Sequence, residues 1–256
     1  MTRKRAVITG ASSGIGLELA RELSKRGYDL ALLARRAEVL EGIARELSVS
    51  GARAVAIACD VLDAAAVAEA VIRGEQELGG PFDLAVANAG VSIPNHATKF
   101  SIADAEQVIR VNVLGVMYLY GAVIPGMIER KQGRFVGIAS VAGLRGLPTS
   151  GPYSASKAAV QAFLEAARIE LAPYHVGVTV VNPGFVVTEM TAKNKFTMPF
   201  LMKADRAARI IADGIEGGKR VIEFPRRMSL MMRTMRLVPD ALYERMMIPY
   251  SRRKIQ

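Results

Sequence analysis

Tyr153 and Lys157 stand four residues apart at the start of a helical pattern, which puts both on one helix face. A free phenol has a pKa of about 10, too high for ready proton exchange at neutral pH. A neighbouring ammonium favours the phenolate and lowers that value. The pair can therefore give a proton to a carbonyl undergoing reduction, or take one from an alcohol undergoing oxidation. Ser140 lies thirteen residues earlier, at the end of a strand-like run, where its hydroxyl can hold a substrate oxygen. Taken singly these residues are ordinary: the Tyr/Lys pair is packing plus a solvated charge, Ser140 a loop hydroxyl, Asn112 a satisfied polar group in a helix. Serine-hydrolase chemistry has no support, because His96 and His175 stand in no recognisable arrangement with a nucleophile. Both read as surface or capping residues.

A second group of residues suits phosphate. The apolar run Ala6–Thr9 leads into Thr9-Gly10-Ala11-Ser12-Ser13-Gly14-Ile15-Gly16, and the amphipathic pattern Gly16–Arg26 follows. Glycines permit a tight turn and close backbone approach, so a pyrophosphate can sit on the free N–H groups of the helix start. The positive end of the helix dipole adds to the attraction. Placement after a first strand and before a helix separates this turn from an ordinary one.

These motifs occur in one order with Asp60, Asn88-Ala89-Gly90, Asn112, Ser140 with Tyr153-Ser154-Ala155-Ser156-Lys157, and Asn182-Pro183-Gly184. From about residue 4 to residue 224 the chain resembles the short-chain dehydrogenase/reductase family. The resemblance implies a Rossmann-like α/β fold: a doubly wound parallel sheet of about seven strands with helices on both faces. It implies a nicotinamide cofactor whose adenine meets Asp60 and Val61. Asn88 steadies the sheet, and Ala89 and Gly90 pass close to the cofactor. Lys157 binds the nicotinamide ribose, Asn112 supports a proton-relaying water, and Pro183-Gly184 lies beside the nicotinamide. Thr188 fits a bond to the carboxamide, with Thr191 as a competitor. Asp60 has a capping alternative, although Asp63 is better placed to cap the following helix.

The second strand-like run ends in Ala34-Arg35-Arg36, without the acidic side chain that binds a ribose 2′-hydroxyl. Two guanidinium groups stand where a 2′-phosphate would be, which favours NADP(H) over NAD(H). The alternative, two solvated arginines at a helix start, is disfavoured by the helix dipole. The chain departs from NADP-dependent relatives in having Ser12 and Ser13 where a basic residue is often found inside the glycine turn.

The elements that must position these groups alternate along the chain. Strand-like runs at Ala6–Thr9, Leu30–Ala34, Ala54–Ala58, Leu84–Asn88, Arg134–Ser140, Val176–Asn182 and Arg220–Phe224 are separated by helical patterns, including Ala158–Leu171. Several runs are apolar throughout, as strands covered on both faces are. Alternation of this kind means right-handed crossovers and a parallel sheet. One domain is expected over 1–256, with a core at 4–224, an irregular lid at about 184–203 and a helical extension at 226–256 broken at Pro239 and Pro249. Val111–Ile128 is uncharged for 18 residues, but its Asn, glycines and Pro125 read as a buried helix rather than a membrane span. Arg3-Lys4-Arg5 precedes only three apolar residues, too few for a signal peptide.

A single Cys excludes an internal disulfide and a Cys/His metal cluster, so no metal is expected and a reducing, cytoplasmic setting is the simple reading. Cys59 reads as a buried small side chain without chemistry. The formal charge of +10 is uneven. From Lys219 onward ten Lys and Arg oppose three Asp and Glu, a net of +7, which leaves +3 for the first 218 residues. In this tail Met228, Met231, Met232 and Met235 follow helical spacing as one stripe among Arg226, Arg227, Arg233 and Arg236. Met246, Met247 and Tyr250 form a second apolar group before Arg252-Arg253-Lys254. Three readings fit: contact with an anionic membrane surface, a helix over the substrate entrance, and a subunit contact using adaptable methionine. Nucleic acid has only charge in its favour and is not expected.

The lid and pocket carry Val91, Ile93, Val141, Leu144, Leu147, Phe185, Val186, Met190, Phe196, Met198, Phe200, Leu201 and Met202, which suits a hydrophobic, lipid-like ketone or alcohol, or simply a lid packing on its own core. By resemblance the chain forms a homodimer or homotetramer through Arg110–Ile128 and Ala158–Leu171. The leading reading is an NADP(H)-dependent carbonyl reductase or alcohol dehydrogenase. The alternative is a cofactor-binding membrane-surface or scaffold protein in which catalysis is secondary.

Overall fold

A computed structural model of the chain describes residues 3–49, 51–194 and 197–252. The sheet consists of β1 (Lys4–Thr9), β2 (Tyr28–Ala34), β3 (Ala54–Ala58), β4 (Leu84–Ala87), β5 (Gly133–Ile138), β6 (Val176–Pro183) and β7 (Val221–Phe224). All neighbours are parallel, in the order β3-β2-β1-β4-β5-β6-β7. The helices are α1 (Gly14–Lys25), α2 (Ala37–Val49), α3 (Ala64–Leu78), α4 (Ile102–Ile109), α5 (Gly115–Glu129), α6 (Gly151–Leu171), α7 (Ala204–Glu216), α8 (Arg226–Leu237) and α9 (Asp240–Arg252).

Strand residues alternate between two apolar layers. Ala6, Ile8, Leu30 and Leu32 join the core beneath α1, α2 and α7. Val7, Ala31, Leu33 and Phe135 join the core beneath α3, α5 and α6. Both layers exclude water, which is why these strands lack polar alternation. The chain winds outward from β1 through β2 to β3 and returns to place β4 on the other side of β1. That reversal opens a crevice at the carboxyl ends of β1 and β4, where ligands of such sheets bind.

Several boundaries differ from the sequence expectations, each for a tertiary reason. β1 begins at Lys4 because it pairs with Tyr28, and because Arg5 donates its backbone N–H to Asp83 (2.9 Å) and its side chain to the Leu78 carbonyl (3.1 Å). α6 begins at Gly151, seven residues before the expected Ala158, since Pro152 in a first turn has no N–H to leave unpaired. The expected buried helix over Val111–Ile128 contains a π-helical turn at Arg110–Leu114, continued by α5. The stretch Ile102–Glu129 is long and apolar enough to cross a membrane, and half of its most apolar window is buried inside the protein.

Pro239 separates α8 from α9, but Pro249 does not break α9. It forfeits only a bond to the Arg245 carbonyl in an exposed last turn, where water can substitute. Met231 also leaves the expected methionine stripe. Met228 and Met232 are buried, Met235 is half-buried, and Met231 faces outward. His96 caps the short 3-10 turn Ala97–Lys99, and His175 is an exposed turn residue. Lys195, Phe196, Arg253 and Lys254 lie outside the described residues.

Candidate functional site

The turn after β1 forms one wall of the site. Gly10 (φ 66°) and Gly14 (φ 56°) adopt left-handed backbone that side chains disfavour. A Cβ on Gly16 would lie 2.4 Å from both the Asn88 amide nitrogen and the Gly10 carbonyl. Asn88 explains that crowding: its amide donates to the carbonyls of Thr9 (3.0 Å) and Gly10 (3.1 Å). In return the Thr9 hydroxyl accepts the backbone N–H groups of Asn88 (3.0 Å) and Ala89 (3.2 Å). The turn is thus held open by β4. α1 starts with no side-chain cap and no acidic residue in its first turn, which leaves its N–H groups free for an anion.

A cavity of about 680 Å³ runs from this turn to Ser140. Its walls include Gly10, Ser12, Ser13, Gly14, Ile15, Arg35, Arg36, Asp60, Val61, Asn88, Ala89, Gly90, Tyr153, Lys157, Pro183, Gly184 and Thr188. Gly16 and Asn112 stand behind the walls rather than in them. The glycine cradle, the uncapped helix start and the length of the cavity fit a dinucleotide.

At the mouth, Arg36 is held in place. Its guanidinium donates to the Ser12 hydroxyl (3.0 and 3.2 Å), the Ser12 carbonyl (3.1 Å) and Glu189 (3.2 Å). Arg35 is exposed beside it. The Asp60 carboxylate accepts the Leu62 N–H at 3.0 Å, while Asp63 caps α3 through the N–H groups of Ala65 and Ala66. Burial and the two carboxylates push the Cys59 thiol up to about 11, which makes it a poor nucleophile.

At the far end, α6 presents Tyr153 and Lys157 to the cavity, and β5 delivers Ser140. The Ser140 hydroxyl accepts the Ala142 N–H (3.1 Å) and donates to the Pro183 carbonyl (3.3 Å). Asn112, fully buried in the π turn, accepts the Val91 N–H (2.8 Å) and donates to the Val91 carbonyl (2.9 Å) and the Ser156 hydroxyl (3.0 Å). It therefore ties the segment after Gly90 to α6. Lys157 donates to the Ile138 carbonyl at 2.8 Å, with its ammonium 5.7 Å from the Tyr153 ring centroid.

The electrostatics differ from the sequence expectation for Tyr153. Burial raises the phenol above its ordinary value, and a hydrogen bond with Ser140 opposes the rise. The Lys157 ammonium stands by the tyrosine ring and is committed to a backbone carbonyl, so desolvation prevails over charge attraction. Burial also pulls Lys157 from 10.5 down to about 8. Between those values the unfolded chain holds a proton that the folded chain has released. This group's contribution to stability is full above 10.5 and is lost as pH falls through about 8. In urea unfolding, Lys157→Met is expected to gain more over wild type at about pH 7 than at about pH 10. Equal differences at both pH values would contradict a desolvated ammonium.

Sequence reasoning missed several positioning groups. Gln161, one turn beyond Lys157 on α6, donates to the Ser140 carbonyl (2.7 Å) and to Asn182 (3.0 Å). Ser156 and Glu189 were also missed. The i, i+4 spacing of Tyr153, Lys157 and Gln161 was the available signal for the first of these.

Thr188 and Thr191 both line the cavity and bond to each other, their hydroxyls 3.2 Å apart. Thr191 donates to the Val186 carbonyl (2.6 Å), whereas the Thr188 methyl sits 2.9 Å from where a Gly14 Cβ would be. The expected lid is pinned by a bridge between Val186 and Met202.

Of the apolar pocket residues, Val91, Ile93, Val186 and Met190 line the cavity. Val141, Leu144, Leu147 and Phe185 do not; they pack beneath Met228 and Met232 of α8. Met202 is buried, Met198 accepts a bond from Asn194, and Phe200 and Leu201 are exposed.

The tail is stapled to the same loop. Arg145 donates to the carbonyls of Arg236 (3.5 Å) and Val238 (3.3 Å) and to Asp240 (2.8 Å), and it lies over the Tyr243 ring at 4.3 Å. The Tyr243 hydroxyl donates to the Gly146 carbonyl. Among the described residues no group of three or more His, Cys, Asp or Glu could hold a metal ion.

A short chain dehydrogenase model matches residues 4–198. An uncharacterized oxidoreductase of Myxococcus xanthus is 38% identical over 244 residues, covering 95% of this chain and 96% of its own length. A short chain dehydrogenase/reductase from Burkholderia phymatum, solved with NAD, superposes with a TM-score of 0.83 at 26% identity over 90% of this chain and 92% of that one. A variant of the actinorhodin polyketide ketoreductase, solved with NADPH, gives a TM-score of 0.81 at 29% identity, with 89% and 97% coverage. With this ladder of parallel strands and a family model spanning most of its length, the chain belongs to the short chain dehydrogenases, oxidoreductases that act on CH–OH and C=O groups.

Proposed function

We propose that the chain is an NADP(H)-dependent oxidoreductase that interconverts a carbonyl and an alcohol on an apolar substrate, with Tyr153 as general acid/base. The observation that carries this reading is the meeting of Ser140, Tyr153 and Lys157 on the wall of the same cavity that begins at the glycine turn. A bound nicotinamide supplies or accepts the hydride. In this reading the α1 N-terminus and Gly10–Gly16 hold the pyrophosphate. Asp60 and Val61 hold the adenine end, and Asn88, Ala89 and Gly90 give close backbone approach. Pro183, Gly184 and Thr188 border the nicotinamide end.

Ser140 holds the substrate oxygen while Tyr153 delivers its proton. Lys157, anchored on the Ile138 carbonyl beside the Tyr153 ring, binds the nicotinamide ribose in this reading. Asn112 acts on this group indirectly, through its bonds to Val91 and Ser156. The NADP(H) preference rests on Arg35 and Arg36 at the cavity mouth and on the absence of an acid at the end of β2. The nearby Glu189 lies on the lid, not on the strand. The apolar preference rests on Val91, Ile93, Val186 and Met190.

The test is NADPH oxidation against a chain-length series of ketones, with tightness of cofactor binding measured in parallel. Activity that rises with chain length is expected. NADPH binding without reduction of any ketone in the series would overturn the reductase reading.

A further inference from the structure

We propose that the outer face of the C-terminal helix pair docks on an anionic lipid bilayer. The inner faces are already used. Met228 and Met232 of α8 pack on Val141, Leu144, Leu147 and Phe185, and Tyr243 of α9 reaches the Gly146 carbonyl. Both helices therefore stand on one loop, and their outer sides face away from it.

Those outer sides are apolar without a packing reason. On α8, Leu230 is 68% and Leu237 82% exposed, with Met231 beside them. On α9, Leu242, Met246 and Tyr250 recur every four residues along one flank that turns toward the Tyr243 side at Tyr250, and all are exposed. A tyrosine at the end of such a row suits the boundary between headgroup and chain.

Charge selects the occupant. Arg226, Arg227, Arg236 and Arg245 are exposed on these helices and make no ion pair among the described residues. The tail's Asp240 is engaged by Arg145. Apolar rows flanked by free arginines are what an interfacial helix presents to anionic lipid. A second copy of this chain in a two-fold contact would bring the same arginines against one another. Nucleic acid would satisfy the arginines but leave the apolar rows uncovered.

The proposal is independent of the catalytic reading, and it adds a geometry to it. A Cβ on Gly184, at the cavity wall, would lie 3.3 Å from Met228. The site is thus separated from the docked surface by about one helix thickness, ~10 Å.

The test is co-sedimentation of the full chain with phosphatidylcholine vesicles, with and without phosphatidylglycerol, at low and high salt. Wild type is expected to bind the anionic vesicles roughly tenfold more tightly than the neutral ones, and to weaken with salt. L230S/L237S/L242S and R226Q/R227Q/R236Q are each expected to lose about tenfold in binding. Circular dichroism and thermal melting serve as the folding control, since every altered side chain is exposed. Failure of wild type to bind anionic vesicles would overturn the proposal, as would unchanged binding by both variants. So would a wild-type dimer that the leucine variant converts to monomer while vesicles stay unbound, because the face would then belong to a second copy.

Discussion

Tyr153→Phe is expected to lower carbonyl reduction by about 10²–10⁴-fold, the range attributed to a positioned general acid. Cofactor affinity should stay within about fivefold, because a lost neutral hydrogen bond typically costs ~1 kcal/mol. The substitution removes one oxygen and keeps the ring, so the Lys157 ammonium retains its aromatic neighbour and its bond to the Ile138 carbonyl. The Ser140 hydroxyl keeps its bonds to Ala142 and Pro183. Single-turnover rates with NADPH, beside fluorescence titration of NADPH, separate the two effects. Near-normal turnover would mean that another acid serves the reaction.

The second large effect concerns cofactor choice. Arg35→Asp with Arg36→Ala is expected to weaken NADPH binding by about 10²-fold or more while NADH binding changes little. Each charge-assisted hydrogen bond is worth ~1.5–3 kcal/mol, roughly tenfold to a hundredfold. The structure adds a reason to change both residues. Arg36 is oriented by Ser12 and drawn toward Glu189, whereas Arg35 is exposed and free to reorient. The double variant, like removal of Arg36 alone, also leaves the Glu189 carboxylate without its counter-charge near the site, which adds to the repulsion of a phosphate. Dissociation constants for both nucleotides, measured at one ionic strength, decide the matter. An unchanged NADPH affinity would refute the arginine assignment.

The parts of the site that were legible in the sequence are those whose chemistry is local. Gly10, Gly14 and Gly16 advertise a turn that only glycine builds, and Tyr153 and Lys157 share a helix face by spacing alone. Ser12, set against the resemblance as a missing basic residue, turns out to hold the arginine that the second strand supplies.

What was not legible depends on contacts between distant segments. Nothing within four residues of Asn112 announces a π turn, or the bonds to Val91 and Ser156. Leu144 and Leu147 read as pocket wall because a sequence window cannot show that α8 covers them. The expected fall in the Tyr153 pKa failed for a similar reason: spacing places an ammonium nearby, but only the fold shows that it points at a carbonyl and that both groups are desolvated.

Arg145 has a consequence for how such a protein changes over generations. Its guanidinium joins the loop that follows Ser140 to the turn between the last two helices. The glycine-turn end of the cavity is held by short bonds that Asn88, Thr9 and Ser12 make with segments beside them. Beside that cavity, two stretches about 90 residues apart in the chain are joined by this cation, by the Tyr243 bond to Gly146 and by Met228 and Met232 packed on Val141 and Leu144. Neither stretch is a free module. A tail transplanted from a relative lacking a partner for Arg145 would arrive without that fastening, so loop and tail are expected to change together.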